Sequence, residues 1–490
     1  MLHLSKSTFL SLAGSLLIAL LGTGCSSDEP GGGGGDKPEP NREPVSANIS
    51  HARALIVYSG TPNDSRASEG DFDGPGLYQL DTNGKISRVA VQCVIADDGA
   101  QNPTQQPVTV IPASMQSLSK NYTALYDCGY YDEAGTRLEA VNANNLLIHK
   151  LSGKIYNIDD LISRGDLMPG HTFVHEESDG SLILAYDSTV GRLTFSGNSI
   201  NYARLNNEDA QIGLIEDGEI HLASSGLIFP TIKGLQDNMA VLFPNGKYDY
   251  LADYGLPEIS GIETENNYTG NPYISYFWFG DGPAALKQQF YWGYDYAEGH
   301  DFSESFLTVF KINVGNNNGK VTFTEGPSRH FIEKDEIHPN NVCAVGDKLV
   351  IERYNNWGSD RPTYIVYDSR GHSWHEVDKN FNPVNIHFLQ PDASFGGRAW
   401  ILDMPLYDDQ SNTKLWWINP STMQTGSLSV NLAGMQIGRV EGNYQAGYVI
   451  FKGTIPAEEK YCTVIFNLAT GESETISYSY LTNMEIIMLK

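Results

Sequence analysis

The chain has 490 residues, 40% of them hydrophobic and 11% aromatic, which excludes a disordered polymer and allows a sizeable ordered core. With 59 Asp and Glu against 32 Lys and Arg, its formal charge of -27 excludes partners that are themselves polyanions, such as nucleic acid or an anionic membrane surface. Five cysteines with no CxxC pair and no Cys/His spacing exclude a structural zinc module.

At the N-terminus, Lys6 precedes an apolar run from Phe9 to Leu21 that is too short to span a bilayer comfortably and ends in Leu21-Gly-Thr-Gly-Cys25. These residues resemble a bacterial lipoprotein signal peptide. The resemblance implies removal of residues 1–24 and lipidation of Cys25, which would attach the chain to a membrane. Residues 25–50, including SSDEPGGGGGDKPEPNREP, lack core-forming side chains and read as a flexible acidic, Gly- and Pro-rich tether. Ser26-Ser27-Asp28-Glu29 resembles the acidic signal that follows the lipidated Cys in surface-exposed lipoproteins of Bacteroidota. That implies an outer-membrane lipoprotein facing the cell exterior; an arbitrary acidic linker on a periplasm-facing lipoprotein is the alternative.

Residues 51–490 read as one domain built from a repeated hairpin. Each copy is a run of alternating β-formers, a tight Gly, Asn or Ser turn, and a second strand. The copies begin at Leu77, Leu146, Arg192, Met239, Leu307, Tyr364, Lys414 and Thr463. Self-similarity at about 45 to 70 residues per unit marks a radial β array. A further period-2 segment precedes each hairpin, as in Ala54-LIVYSG, Ile220-HLASSG and Leu349-VIERYNN, and before most of these lies another short strand, as in Gln211-IGLIED and Asn341-VCAVGD. Four strands per unit, called a to d in chain order, and the absence of crossover helices predict an all-β, eight-bladed β-propeller of antiparallel blades, or seven blades if one unit is an insertion.

Unit one lacks its own first strand, and the chain ends in the apolar Met484-EIIMLK with no hairpin after it. The C-terminal strand is therefore expected to supply strand a of unit one and close the ring, which removes an exposed sheet edge. Repeated Trp-Asp endings and aspartate boxes are absent, and Gly396-Gly397 is the one kelch-like Gly pair. The whole resembles the propeller lipoproteins of Bacteroidota as a broad class, which has no single activity.

In an a-b-c-d blade the b–c and d–a connections emerge on one face. The long segments 59–76, 92–112, 129–145, 252–275, 294–305, 326–337 and 355–363 nearly all fall there. Loops on a rigid scaffold carry function, so that face is the expected binding surface. Its candidate ligand-binding residues are Tyr130 and Tyr131 after strand b of unit two; Tyr294, Tyr296, His300 and Asp301 in unit five; and Arg353, Trp357 and Arg361 in unit six. The arginines could clamp an anionic ligand with Trp357 as a stacking platform, or pair with local carboxylates such as Glu352. Asp71 and Asp73 open a calcium-like Asp-x-Asp-Gly stretch without the distal Glu of the full loop, so calcium is the one cofactor the sequence hints at and a solvated turn is the simpler reading. Cys93 and Cys128 could form a disulfide; Cys343 and Cys462 read as buried thiols. His171 with His175, and His372 with His375, read as structural.

No nucleophile elbow or zinc-protease helix is present. The expected function is capture of a ligand, glycan or ferric-siderophore-like, on aromatic platforms of the long-loop face, with delivery to an outer-membrane transporter implied by the resemblance alone. The alternatives are a glycoside hydrolase or lyase on the same ring, which needs a pair of carboxylates, and a protein-interaction scaffold.

Overall fold

The structure is a computed structural model. It describes residues 41–59, 72–96, 104–139, 141–186, 189–207, 221–223, 226–233, 236–260, 268–269, 272–279, 282–295, 300–315, 321–333, 337–355, 362–378, 380–381, 383, 386–405, 410–458, 460–479 and 484–489. All of these belong to one compact unit, Pro40–Lys490. The chain is nearly all β, and among the described residues its α-helix is the single turn Asp159–Ser163.

Eight sheets repeat one antiparallel plan in which strands a, b, c and d are neighbours in that order. Unit two uses Ser114–Ser117, Tyr122–Tyr126, Leu146–His149 and Ile155–Asn157. Unit three uses Phe173–Glu176, Leu182–Tyr186, Thr189–Ser196 and Ser199–Arg204. Unit four uses His221–Ala223, Gly226–Lys233, Gln236–Leu242 and Tyr248–Tyr250. Units six, seven and eight begin with strands a at Ile337–Val345, Ile386–Phe395 and Gln436–Asn443. Unit one takes b, c and d from Ala52–Tyr58, Gly76–Asp81 and Ile86–Arg88, while its strand a is the C-terminal Met484–Met488, which pairs along Ala52–Tyr58. This arrangement of four-stranded antiparallel sheets is that of the β-propeller class.

The strands look apolar on both sides because each sheet is packed between two others. In strand a of unit five, Tyr276 and Trp278 pack with Ile228 and Val241 of unit four, while Phe277 and Phe279 pack with Leu349 and Ile351 of unit six. Similar shared cores join units two and three through Leu147 and Leu184, and units eight and one through Ile450, Ile465, Ala54 and Ile56. The largest continuous core runs from unit six to unit eight around Trp400, Phe451 and Phe466. Each fully buried side chain of this size contributes about 1.5–3 kcal/mol from removal of apolar surface from water.

A ninth sheet departs from the sequence reading. Segment 92–112 is a hairpin, Val91–Ala96 and Thr104–Ile111, and residues 41–47, assigned above to the tether, form its partner strand Asn41–Ala47. Gly129–Tyr131 completes its other edge. Pro44 and Pro107 hide these strands in the sequence because proline weakens a strand pattern, and the register shift at Pro44–Ser46 accommodates the first. Ala47 donates its N–H to Gly153 O in the turn between strands c and d of unit two. Gly153 has φ +70, and a Cβ there would lie 2.0 Å from Ala47 O, so only glycine fits.

The four described cysteines are free and buried. Cys93 pairs with Gln106, while Cys128 precedes Gly129, the partner of Ile111. That offset is about 20 Å at 3.3 Å per residue, beyond the Cα separation of a disulfide. Burial pushes the Cys93 thiol up to about 12. One further correction concerns unit four, where Ile220-HLASSG does not hold strand b: His221–Ala223 is strand a. Gln211-IGLIED, expected there, lies outside the described residues.

Candidate ligand-binding surface

Connections between strands a and b and between c and d are short, for example 346–347, 396–397, 82–85 and 369–372. The surplus chain is on the opposite face, and in unit five much of it is strand. There b and c, Gly282–Asp295 and His300–Val314, run 14 and 15 residues, against 8 and 8 for Tyr448–Ile455 and Lys460–Asn467 in unit eight. Strand a, Tyr273–Phe279, pairs only with Gly282–Gln288, and strand d, Val321–Glu325, only with Phe310–Val314. The rest continues past the blade as an arm, flanked by Tyr268–Thr269 on one edge and Arg329–Glu333 on the other.

Alternation sorts the arm's side chains. Glu304 is paired with Tyr291 and Ile332, and Phe306 with Gln289 and His330, which places Tyr291, Glu304, Phe306, His330 and Ile332 on one face. The His330 ring stacks flat on Phe306, centroids 4.3 Å apart and planes 3° apart, and Tyr291 meets Phe306 edge-on at 6.0 Å. His330 Nε2 lies 2.7 Å from Glu304 Oε1, which holds the ring in its plane. From beneath, Phe306 is packed by Ile259, Leu256 and Phe310. The outer side of the stack is open: His330 is 43% exposed, and Ile332, at 69%, is the most exposed large apolar side chain among the described residues. Burial, then the charges of Glu258 and Glu304, raises the Tyr291 hydroxyl above its ordinary value.

The described cations in and beside the arm are engaged by other groups. Lys287 is buried, donates to Pro257 O at 2.8 Å and lies 3.5 Å from Glu258. Arg329 pairs with Glu376 of unit six at 2.5 Å. On the reverse face Phe290 is buried, and the Arg353 guanidinium lies 3.7 Å from the Phe331 ring centroid.

Several sequence-predicted residues meet in this region. Register brings Tyr294 opposite Asp301, next to the Asp295–His300 pair at the arm's tip; Tyr296 lies outside the described residues. Arg353 is close by but buried, so it does not present the solvent-facing clamp expected of it. Its neighbour Glu352 points to the other side of the sheet, fully buried, where it accepts from Asn341 Nδ2 at 3.0 Å and from the Tyr364 hydroxyl at 3.3 Å. Trp357 and Arg361 lie outside the described residues.

Tyr130 and Tyr131 sit apart from this group, in the ninth sheet. Tyr130 is buried, its hydroxyl donating to Ala143 O at 2.6 Å, which makes it a core residue and not an exposed platform. Burial raises that hydroxyl far above its ordinary value. Half-buried Tyr131 forms a bridge with Arg137. Of the calcium-like stretch, Asp73 is described. Asp73 is held by Arg88 and accepts from the Tyr78 hydroxyl at 2.8 Å, so its carboxylate serves an ion pair. Asp71 lies outside the described residues, as do Cys25 and the signal segment. Among the described residues no group of three His, Cys, Asp or Glu side chains is placed to hold a metal.

Sequence reading missed Phe306, Glu304, His330 and Ile332. The available signal was the period-2 order of RHFIE at Arg329–Glu333, five residues inside what read as a loop. It also missed Asp403, which is buried in unit seven, accepts from Trp416 Nε1 at 2.9 Å and, with Glu352, acts on Tyr364. These two carboxylates come from neighbouring units, but both are sealed from solvent and do not form the exposed pair a glycoside hydrolase needs.

No protein-family model matches the chain, and no curated protein matches it. Solved structures similar to it include β-propellers. The propeller domain of the Trilobed protease from Pyrococcus furiosus is 8% identical, covering 75% of this chain and 97% of that one with a TM-score of 0.36. AztD from Citrobacter koseri is 10% identical over 90% and 98%, with a TM-score of 0.35. Oligogalacturonate lyase from Vibrio parahaemolyticus is 9% identical over 74% and 85%, with a TM-score of 0.30. The class assignment rests on this chain's own strand order and register.

Proposed function

We propose that the chain is a lipid-anchored outer-membrane binding protein facing the cell exterior. Its eight units form one ring closed by the C-terminal strand. It captures a glycan or ferric-siderophore-like ligand on the long-loop face and passes it to an outer-membrane transporter. The observation that carries the binding role is the arm of unit five. One face of the strands extended past the blade packs on unit six through Phe331 and Arg353, and the other carries a stacked, half-open aromatic surface that no described neighbour covers. Closure is supported by the pairing of Met484–Met488 with Ala52–Tyr58 and by the core shared between units eight and one. Anchoring and orientation rest on Cys25 and the acidic residues after it.

The test is a thermal-shift panel on a soluble form beginning at Ser26, which keeps strand Asn41–Ala47, against neutral and charged polysaccharides, ferric siderophores, haem and calcium. A ligand at 100 times its Kd adds about 2.7 kcal/mol, a clear shift. A shift with one class, lost in a His330→Ala variant that still folds, supports the reading. No shift with any member, or a shift that the arm variant leaves intact, rejects it.

A further inference from the structure

Resting on that reading, we infer that the arm takes an uncharged glycan, with a sugar ring stacked on the outer face of His330 beside Ile332, and that it does not take an anionic chelate. The platform is built before any ligand arrives. Phe306 supports the His330 ring from behind at 4.3 Å, and Glu304 fixes its rotation through Nε2. A rigid, flat, half-exposed ring beside an exposed aliphatic side chain matches the C–H face of a pyranose, and pre-organisation lowers the ordering cost of binding. Hydroxyl partners stand beside it: the Glu304 carboxylate as acceptor and the second nitrogen of His330.

Charge decides the ligand class. An anionic ligand needs free cations, and among the described residues in and beside the arm Lys287, Arg329 and Arg353 are respectively buried against Pro257 O and Glu258, paired with Glu376, and buried over Phe331. Glu304 stands within the platform, Glu258 lies close to it, and the chain as a whole carries -27. Bringing a carboxylate- or phosphate-rich ligand here would set like charges together in a partly desolvated place.

The experiment is isothermal titration of the Ser26–Lys490 protein with a neutral β-glucan and a neutral mannan, a polyuronate, and an anionic ferric catecholate. Each is run at 50 and 500 mM NaCl, with His330→Ala and Ile332→Ser beside the wild type. The inference expects a neutral glycan to bind, affinity to change less than twofold with salt, and each variant to weaken it at least tenfold. Polyuronate or ferric catecholate binding that both variants abolish would keep the arm as a binding surface and overturn the neutral class. Neutral glycan binding unchanged in both variants would overturn the platform. Silence across the whole panel would reject the binding role itself.

Discussion

Units eight and five follow one plan to different ends. In unit eight strands b and c stop at 8 residues, and their inward side chains, Phe451, Val464 and Phe466 among them, are sealed in the core shared with units six and seven. Unit five meets the same packing requirement with Leu286 and Leu307, then continues b and c beyond the blade, where Phe290 stays buried and Phe331 packs on unit six on one face while Phe306 joins the small cluster with Ile259 and Phe310 on the other.

The contrast can be broken most sharply at Phe451. Its truncation to Ala is expected to cost about 3–5 kcal/mol in urea unfolding, while His330→Ala and Ile332→Ser in unit five stay within about 0.5 kcal/mol of wild type. Equal losses in the two units would remove the distinction. Gly153→Ala probes whether the plain face is as tightly built as unit eight. The added Cβ meets Ala47 O in a left-handed turn, and a loss of about 2–3 kcal/mol is expected, with ligand affinity unchanged.

Lys150, also on the plain side, is buried with its ammonium donating to Ser117 Oγ and Ser119 O at 2.8 Å. Burial pushes it down from 10.5 to about 8. The folded protein therefore holds fewer protons than the unfolded chain between those values, and stability rises with pH across that window. Between pH 7.5 and 9.5 the wild type should gain about 2 kcal/mol relative to Lys150→Met; parallel pH profiles for the two proteins would refute this. The smallest effect belongs to Glu485, on strand a of unit one, which accepts the Met115 N–H at 2.5 Å. Burial raises its carboxyl, so ionising it costs stability that is lost as pH climbs through the raised value. Glu485→Gln keeps an acceptor and should stabilise the protein slightly at pH 7, read from a higher unfolding midpoint. A destabilised variant would show that its charge is used.

All eight hairpins and the partner of the C-terminal strand were legible because alternation and a tight turn are local signals. The ninth sheet was not, since Asn41–Ala47 meets Val91–Ala96 across some fifty residues and both it and Thr104–Ile111 contain a proline. At the site, sequence found the aromatic density of unit five but not which rings share a face. Phe306 and His330 are placed together only by the register of Arg329–Glu333, a pairing no local pattern encodes. Arg353 and Tyr130 misled for the opposite reason: both residue types favour surfaces, and packing against Phe331 and Ala143 buried them.

The central claim is that ligand binding is confined to the arm of unit five, and hydrogen exchange with and without the glycan that gives the largest thermal shift tests it most directly. The account predicts slowed exchange at residues 289–295, 300–306 and 329–333, with turns 82–85, 369–372 and 420–423 on the opposite face unchanged. Protection spread over those turns, with none on the arm, would contradict it.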